Sequence, residues 1–169
     1  LDISPDGQLL ASSTHSDRVN IYRNTGPGFL GSVIGHGGRL RDIDFSPNGR
    51  HLAIASDGGH AVIDVAALPR NKTVNVPPRH SGGTEGPINA ITYSPDGEWL
   101  ATAVNGAHGS LRIWDLKADR EIWFQRVGAD TLQFSTNGNR LLTGDHATGE
   151  MRVWDLTQVR TRHASESVD

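Results

Sequence analysis

Apolar and polar residues alternate in short segments that recur along the whole chain. Residues 40–45 and 88–93 alternate with β-branched and aromatic side chains, which is typical of β-strands with one buried face. After a turn, each is followed by a run that is almost continuously apolar, as at 52–54 and 99–101. Such a run predicts a strand buried on both faces. A third alternating segment follows in every copy, and no stretch has a convincing helical period.

A turn motif lies between the first two segments of each copy. The sequence Ser-Pro-Asp/Asn-Gly, or Ser-Thr-Asn-Gly in the last copy, occupies residues 4–7, 46–49, 94–97 and 135–138. Proline presets φ at the first central position, and glycine accepts the positive φ that ends such a turn. The glycines, which are 42, 48 and 41 residues apart, are Gly7, Gly49, Gly97 and Gly138. The motif therefore predicts four copies of one hairpin.

A fourth, weaker strand is predicted after the third segment, at residues 30–34, 73–76 and 122–124. A sheet of three or four short strands cannot bury both of its faces alone. Radial stacking of such sheets removes the problem, and a repeat of this length is typical of a β-propeller.

These segments resemble the WD-repeat (Trp-Asp repeat) family. Residues 111–116 and 151–156, each with a Trp-Asp pair, resemble the third strand of that family, and Gly35-His36 corresponds to its Gly-His pair. The resemblance covers roughly residues 1–156 and implies an all-β propeller of about four four-stranded antiparallel blades. The expected units are a truncated first blade, a second blade, a third blade preceded by an insertion loop, a fourth blade and a polar tail, at 1–34, 35–76, 77–127, 128–162 and 163–169.

The resemblance also assigns structural residues. The family's His–Ser/Thr–Asp–Trp hydrogen-bond network is incomplete in every copy, because His36 and Ser56 have Ile63 where a tryptophan is expected, and Thr102 and Trp114 have no histidine. The blades are therefore expected to depend mainly on apolar packing. The other structural residues are the turn glycines together with Asp115, Trp154 and Asp155.

Four blades are fewer than the seven or eight that WD-repeat rings usually contain. An open arc would expose apolar sheet faces at both ends. We therefore expect the chain to be an arc of a larger ring whose remaining blades belong to the same chain. The alternative is that two copies pair into one eight-bladed ring.

Composition bears on function more than on fold. The 169 residues include 16 basic and 19 acidic side chains, and this balance does not indicate nucleic-acid binding. No apolar run is long enough for a membrane span. The absence of cysteine removes disulfides and thiolate chemistry. Together with the lack of a visible signal peptide, these features favour a cytoplasmic protein that binds other proteins.

Catalytic and metal-binding patterns are not found. The eight histidines include no pair at a zinc-like spacing. Four of them are predicted in the loops between second and third strands and could form a shared rim: His15, His60, His108 and His146. There is no Gly-x-Ser-x-Gly elbow and no phosphate-binding glycine loop. We expect no catalytic residue, no cofactor and no metal site.

The connection between the second and third copies is the best candidate for binding. It runs from residue 64 to 87, whereas the first connection runs only from 23 to 35. Insertions in repeat proteins map to loops, often on the binding face, although a neutral insertion is the alternative. The predicted partner-binding residues, with those of neighbouring loops, are Arg39, Arg41, Arg79, His80, Glu85, His108 and His146.

These features predict a non-catalytic protein–protein interaction scaffold. The alternative is a sensor or regulatory domain of a larger multidomain signalling or defence protein whose catalytic domain lies outside this segment. Flanking domains in the full reading frame would separate the two.

Overall fold

The computed structural model describes residues 1–13, 17–26, 28–34, 38–68, 72–74, 80–82, 86–106 and 108–166. In these ranges the chain forms four β-sheets, each built on one copy of the sequence repeat. Antiparallel pairing joins the first three strands of every sheet. We call the sheets blades 1 to 4 in chain order, and the β-propeller class predicted from the sequence is confirmed.

The strands follow the repeat. Blade 1 contains β1 (Asp2–Ile3), β2 (Leu9–Ser13), β3 (Arg18–Arg23) and β4 (Phe29–Ile34). Blade 2 begins with β5 (Leu40–Phe45), β6 (His51–Ser56) and β7 (Gly59–Asp64), and the connection after it holds a 3-10 turn (Val65–Ala67), β8 (Lys72–Val74) and β9 (His80–Gly82). Blade 3 contains β10 (Ile88–Tyr93), β11 (Trp99–Val104), β12 (Ser110–Asp115) and β13 (Arg120–Gln125). Blade 4 contains β14 (Thr131–Phe134), β15 (Arg140–Gly144) and β16 (Met151–Asp155), followed by α1 (Thr157–Glu166).

All four copies close their first hairpin with the same hydrogen bonds. In blade 1 the Gly7 N–H donates to the Ser4 carbonyl at 2.8 Å, and the other three copies have this bond at the same length. The Ser4 hydroxyl donates to the Asp6 carboxylate and accepts from the Leu9 N–H. The turn glycines have φ between 68° and 74°. The predicted turn is therefore confirmed in every copy, including the last, where Thr136 replaces proline.

The long connection differs from the prediction. The sequence predicts the fourth strand of blade 2 at 73–76, but β8 instead pairs in parallel with β4 of blade 1. The fourth strand of blade 2 is β9, which pairs antiparallel with β7. The prediction is wrong because a short apolar segment does not specify which open sheet edge it joins. Blade 2 thus extends past residue 76, and part of the predicted insertion loop is a strand.

A helix that the sequence pattern does not predict follows β16. Its start is capped by Asp155, whose carboxylate accepts from the Thr157 N–H at 2.9 Å. Leu156 is buried just before it, and Val159 packs against the apolar cluster between blades 3 and 4. Residues 163–166, expected to begin a polar tail, form its last turn. Within the described ranges, neither α1 nor the 3-10 turn is long and apolar enough to cross a membrane.

The core consists of three apolar clusters, each between two successive blades. Alternate side chains of β6 point to opposite neighbours: Leu52 and Ile54 pack against blade 1, while Ala53 packs against blade 3. All six residues of β11 are buried. The strand buried on both faces that the apolar runs predict is therefore confirmed for the two central blades.

Aspartates of the first strands connect neighbouring blades. The Asp2 carboxylate accepts from the Phe45 N–H at 2.6 Å, and the Asp44 carboxylate accepts from the Tyr93 N–H at 2.6 Å. Asp42 accepts from the Ile91 N–H at 2.9 Å. Asp2 and Asp44 occupy the same position of the repeat, so the first strands of blades 1 to 3 lie side by side in the same direction and register.

Candidate interaction surface

The turns that join second and third strands lie at one end of the blades. Because the first strands are aligned, equivalent turns of successive blades reach the same face of the arc. We call this face the loop face. Its described residues are 17–18 in blade 1, 38–41 and 57–58 in blade 2, 105–106 and 108–109 in blade 3, and 127–130 and 145–150 in blade 4.

Blade 2 contributes a pair of arginines to the loop face. Arg41 donates from Nε to the Asp57 carboxylate at 2.6 Å, so its side chain is tied to the turn after β6. This hydrogen bond from Arg41 holds the pKa of Asp57 below its usual range. Arg39 is exposed, and its carbonyl accepts from the Asp57 N–H at 3.1 Å. Asp57 thus holds the Arg41 side chain and the Arg39 backbone, a role that the sequence alone does not show.

Blade 4 contributes a hydrogen-bonded cluster. The His146 N–H donates to the Asp130 carboxylate at 3.0 Å, and the imidazole Nδ1 contacts the same oxygen. Asn89 of blade 3 donates to the other Asp130 oxygen at 3.3 Å. Burial acts to raise the pKa of Asp130, but the hydrogen bonds from His146 and Asn105 lower it overall. His146 is therefore exposed on a turn that is anchored to its neighbouring blade.

The same cluster has the composition of a cation site. Ligand atoms of Asp130, Asp145 and His146 lie within 4.8 Å of one another. However, Asp145 accepts from the Ala147 N–H at 2.8 Å, and Asp130 accepts from the His146 N–H. Both carboxylates are thus used by the backbone of the turn, and we assign them a structural role.

Of the four histidines predicted to form a shared rim, two lie exposed on the loop face in the described part of the chain. His108 and His146 are exposed on the loop face, as the sequence predicts. His60 is not in a loop: it lies in β7, is 3% exposed and packs against Trp114 with ring centroids 4.7 Å apart. The prediction for His60 is wrong because the turn after β6 is one of two residues, which brings the histidine into the strand.

Some predicted site residues fall elsewhere. His15, His36, Arg79 and Glu85 lie outside the described residues. His80 begins β9, where its backbone is paired with Val62 of β7. His80 therefore belongs to a strand rather than to a loop.

Partial versions of the polar network are present in two blades. Trp114 Nε1 donates to the Thr102 hydroxyl at 3.0 Å, and Trp154 Nε1 donates to the Thr143 hydroxyl at 3.1 Å. Thr143 is not among the residues predicted from the sequence, although it lies five residues after its turn glycine, as Thr102 does. Each bond connects the second and third strands of one blade.

The aspartate of the Trp-Asp pair has a different task. Asp115 accepts from the N–H groups of Lys117 and Ala118 at 2.7 and 2.9 Å and so caps the turn after β12. Burial acts to raise its pKa, but these hydrogen bonds and that of His163 lower it overall. In blade 2, which lacks the tryptophan, the Ser56 hydroxyl donates to the Gly59 carbonyl at 3.0 Å instead.

Stacked antiparallel blades, the repeated hairpin and the Trp–Thr bonds define a WD-repeat β-propeller module. The model of the family described as "WD domain, G-beta repeat" matches residues 28–65 and 71–115, and the chain belongs to this family. It is similar to Protein hir1 of Aspergillus terreus, with 33% identity over 90 residues that cover 47% of this chain and 8% of that protein. The chain therefore matches only a small part of this relative.

Proposed function

We propose that the chain is a non-catalytic protein-interaction scaffold whose loop face binds a partner protein. WD-repeat domains generally bind proteins and are generally not catalytic, which supports this class. The observation that carries the proposal is the presentation of exposed cationic or titratable side chains by three successive blades, namely Arg39, His108 and His146.

Rigidity makes this face suitable for recognition. Arg41 and His146 are each tied to an aspartate, and the blades behind them are joined by buried clusters and interblade hydrogen bonds. A surface that is ordered before binding loses little conformational entropy in the complex. Acidic groups such as Asp57 and Glu150 alternate with the basic ones, which favours a protein surface of mixed charge over a polyanion.

The proposal is tested by affinity capture from an extract of the source cells. The intact chain is compared with the triple variant Arg39→Glu, His108→Glu and His146→Glu, and recovered proteins are quantified by mass spectrometry. We expect at least a tenfold loss of the specific partners, because reversing the charge of Arg39 and placing two further carboxylates on the loop face costs more than about 1.4 kcal/mol of binding free energy.

The matched control is Lys117→Glu, which reverses an exposed charge at the opposite end of blade 3. It should leave recovery unchanged. If the triple variant recovers the same partners as the intact chain, the loop face is not the binding surface. Point substitutions are preferable to deletion of residues 78–86, because that deletion removes β9.

The sensor alternative and the cytoplasmic location remain predictions. The match to hir1 covers 8% of that protein, so a module of this kind can lie within a much longer chain. Domain assignment of the full reading frame and imaging of the tagged full-length protein test these two points separately.

A further inference from the structure

Two equivalent grooves lie between blades on the face opposite the loop face, where the Ser-Pro-Asp-Gly turns are. We call them groove 1/2, between blades 1 and 2, and groove 3/4, between blades 3 and 4. The repeat makes them comparable position by position. Groove 3/4 contains side chains of α1, and these show which interactions such a groove can make.

Arg160 of α1 fills the floor of groove 3/4. Its Nε donates to the Gly138 carbonyl at 3.0 Å, and a terminal nitrogen donates to the Asp96 carboxylate at 2.6 Å. The guanidinium carbon lies 4.2 Å from the centroid of the Trp99 ring, a cation–π contact. One arginine thus uses a turn carbonyl, a turn carboxylate and an apolar wall.

His163 makes the second set of contacts, one helical turn after Arg160. Its Nε2 contacts the Asp115 carboxylate, and its ring meets that of Trp99 edge-on at 5.8 Å. Residues three apart lie on the same side of a helix. Groove 3/4 therefore accepts a pair of side chains at positions i and i+3, with an acidic group opposite the second one.

Groove 1/2 has the same construction. Leu9 is paired with Arg23 as Trp99 is paired with Asp115, and Gly49 stands where Gly138 stands. The groove has a volume of about 340 Å³. Its main lining residues are Leu9, Arg23, Leu30, Gly49, Arg50 and Leu68.

The chain following blade 2 begins as α1 does but then diverges. Asp64 caps the 3-10 turn by accepting from the Ala66 N–H at 2.8 Å, as Asp155 caps α1. Leu68 then adopts an extended conformation, with φ of −75° and ψ of 118°. The next residue is Pro69, whose ring disfavours a helical conformation in the residue before it. In the described part of this connection, no helix corresponds to α1.

The charges of groove 1/2 specify a different second side chain. The Gly49 carbonyl and the Asp6 carboxylate occupy the places of Gly138 and Asp96, so the first position again suits an arginine. Hydrogen bonds from Ser4 and the Gln8 N–H lower the pKa of Asp6, which is therefore anionic at neutral pH. Arg23 replaces Asp115, so the group opposite it must be acidic. Arg50, on the same side, is paired with Asp64, with 3.6 Å between Nε and Oδ2, so these two charges balance each other.

We propose that groove 1/2 binds a helical segment of a partner protein that presents an arginine and, one turn later, an aspartate or glutamate. Leu9, Leu30 and Leu68 form the apolar wall against which such a helix packs. This surface is separate from the loop face and does not depend on the function proposed for that face.

The test uses a hydrocarbon-stapled helical peptide with the sequence of residues 157–166 and the substitution His163→Glu. Its binding to the full chain is measured by fluorescence anisotropy. We expect a dissociation constant below about 1 mM, and at least tenfold weaker binding to the Arg23→Glu chain because the ion pair becomes a repulsion. A peptide with His163→Arg should show the reverse preference and bind the Arg23→Glu chain better.

Two controls accompany the comparison of the two peptides with the parent and Arg23→Glu chains. Arg39→Glu changes an exposed arginine on the loop face and should leave peptide binding unchanged, and circular dichroism shows whether each variant is folded. No binding of the His163→Glu peptide up to 1 mM, or equal affinity for the Arg23→Glu chain, overturns the proposal. Loss of loop-face partners in the earlier experiment has no bearing on this outcome.

Discussion

Aspartate has three separate structural tasks in this repeat, according to its position. Asp6 closes the hairpin turn by accepting from the Ser4 hydroxyl and the Gln8 N–H. Asp115 caps the turn after the third strand. Asp44 accepts a backbone N–H from the next blade and is half-buried there. The first two positions stabilise the ionised carboxylate, whereas the third places a charge in a poorly hydrated interface.

Because Asp44 is half-buried between blades 2 and 3, the free energy of unfolding should depend on pH. Burial, with a smaller contribution from the nearby Asp2, raises the pKa of Asp44 to about 6, although the hydrogen bond from the Tyr93 N–H acts to lower it. A folded-state pKa above the unfolded value means that the stabilising contribution is complete below about pH 3.8 and is lost as pH rises through 6. We expect Asp44→Asn to stabilise the chain by about 1 kcal/mol at pH 7.5 and to have no effect near pH 4.

Urea unfolding at both pH values measures this difference. The control is Asp57→Asn, for which the sign is opposite, because Arg41 lowers the pKa of Asp57 and its contribution is lost as pH falls. An Asp44→Asn variant that is less stable than the parent chain at pH 7.5 would contradict the assignment.

The contribution of the hydrogen bond between Trp114 and Thr102 to the free energy of unfolding can be measured by mutation. Thr102 is 1% exposed and accepts from Trp114 Nε1. Thr102→Val leaves this N–H without its acceptor and should cost about 1–2 kcal/mol of unfolding free energy. In a double-mutant cycle with Trp114→Phe, the two losses should be less than additive, because the second substitution removes the unsatisfied donor. Strict additivity in denaturant unfolding would show that the bond does not stabilise the blade.

Strands of the same repeat position differ in burial because their neighbours differ. The second strands β6 and β11 lie between two blades and are buried almost throughout. In β15 only alternate residues are buried, because blade 3 covers one face and the described chain leaves the other open. Leu142 is consequently 39% exposed, although its sequence surroundings resemble those of the central strands.

The segments that precede β12 and β14 approach each other closely at Gly109 and Gly128. A Cβ atom on Gly109, just before β12, would lie 2.5 Å from the Gly128 backbone nitrogen. Because the obstacle is backbone, it cannot move aside as a flexible side chain would. We expect Gly109→Ala to cost more than about 2 kcal/mol. Thermal unfolding with calorimetry measures the loss.

Gly106→Ala is the matched control in the same turn. A Cβ atom at Gly106 meets nothing within 4 Å, and only its φ of 94° disfavours a side chain. Gly106→Ala should lower the free energy of unfolding by about 1 kcal/mol, the usual penalty for an alanine in the left-handed backbone conformation. If the two variants are equally stable, the close approach of residues 109 and 128 is not a constraint on the fold.

At the scale of the whole molecule, blade 4 presents an apolar sheet face. Leu142, Met151 and Val153 lie on it, and the last two are 73% and 63% exposed. A contiguous exposed apolar face favours association. We expect the 169-residue chain to self-associate through this face, and the variant with all three residues changed to threonine to be monomeric.

Light scattering over a concentration series measures the oligomeric state of the parent chain and of the triple threonine variant. Phe29→Thr, which removes an exposed aromatic side chain from blade 1, is the control and should leave association unchanged. A parent chain that remains monomeric at 100 µM, roughly 10⁵-fold above a nanomolar dissociation constant, would contradict the prediction and would also exclude the two-copy ring.

Local patterns were sufficient for the class of fold and for its hairpins. The Ser-Pro-Asp-Gly motif encodes its own hydrogen bonds within six residues, so Ser4 to Leu9 can be predicted without knowledge of any neighbour. The alternation of apolar and polar residues in β5 and β10 likewise predicts that one face of each strand is buried, whichever sheet the strand joins.

Contacts between distant segments were decided only in the tertiary structure. The pairing of β8 with β4, the burial of His60 against Trp114 and the docking of Arg160 onto Asp96 each join residues from different blades. The sequence by itself thus determined the repeat, the hairpin and the alternating buried face, since these depend on neighbours along the chain. Only the tertiary structure decided which edges pair, which histidines are exposed and which groove α1 fills, because these depend on the blade that lies alongside.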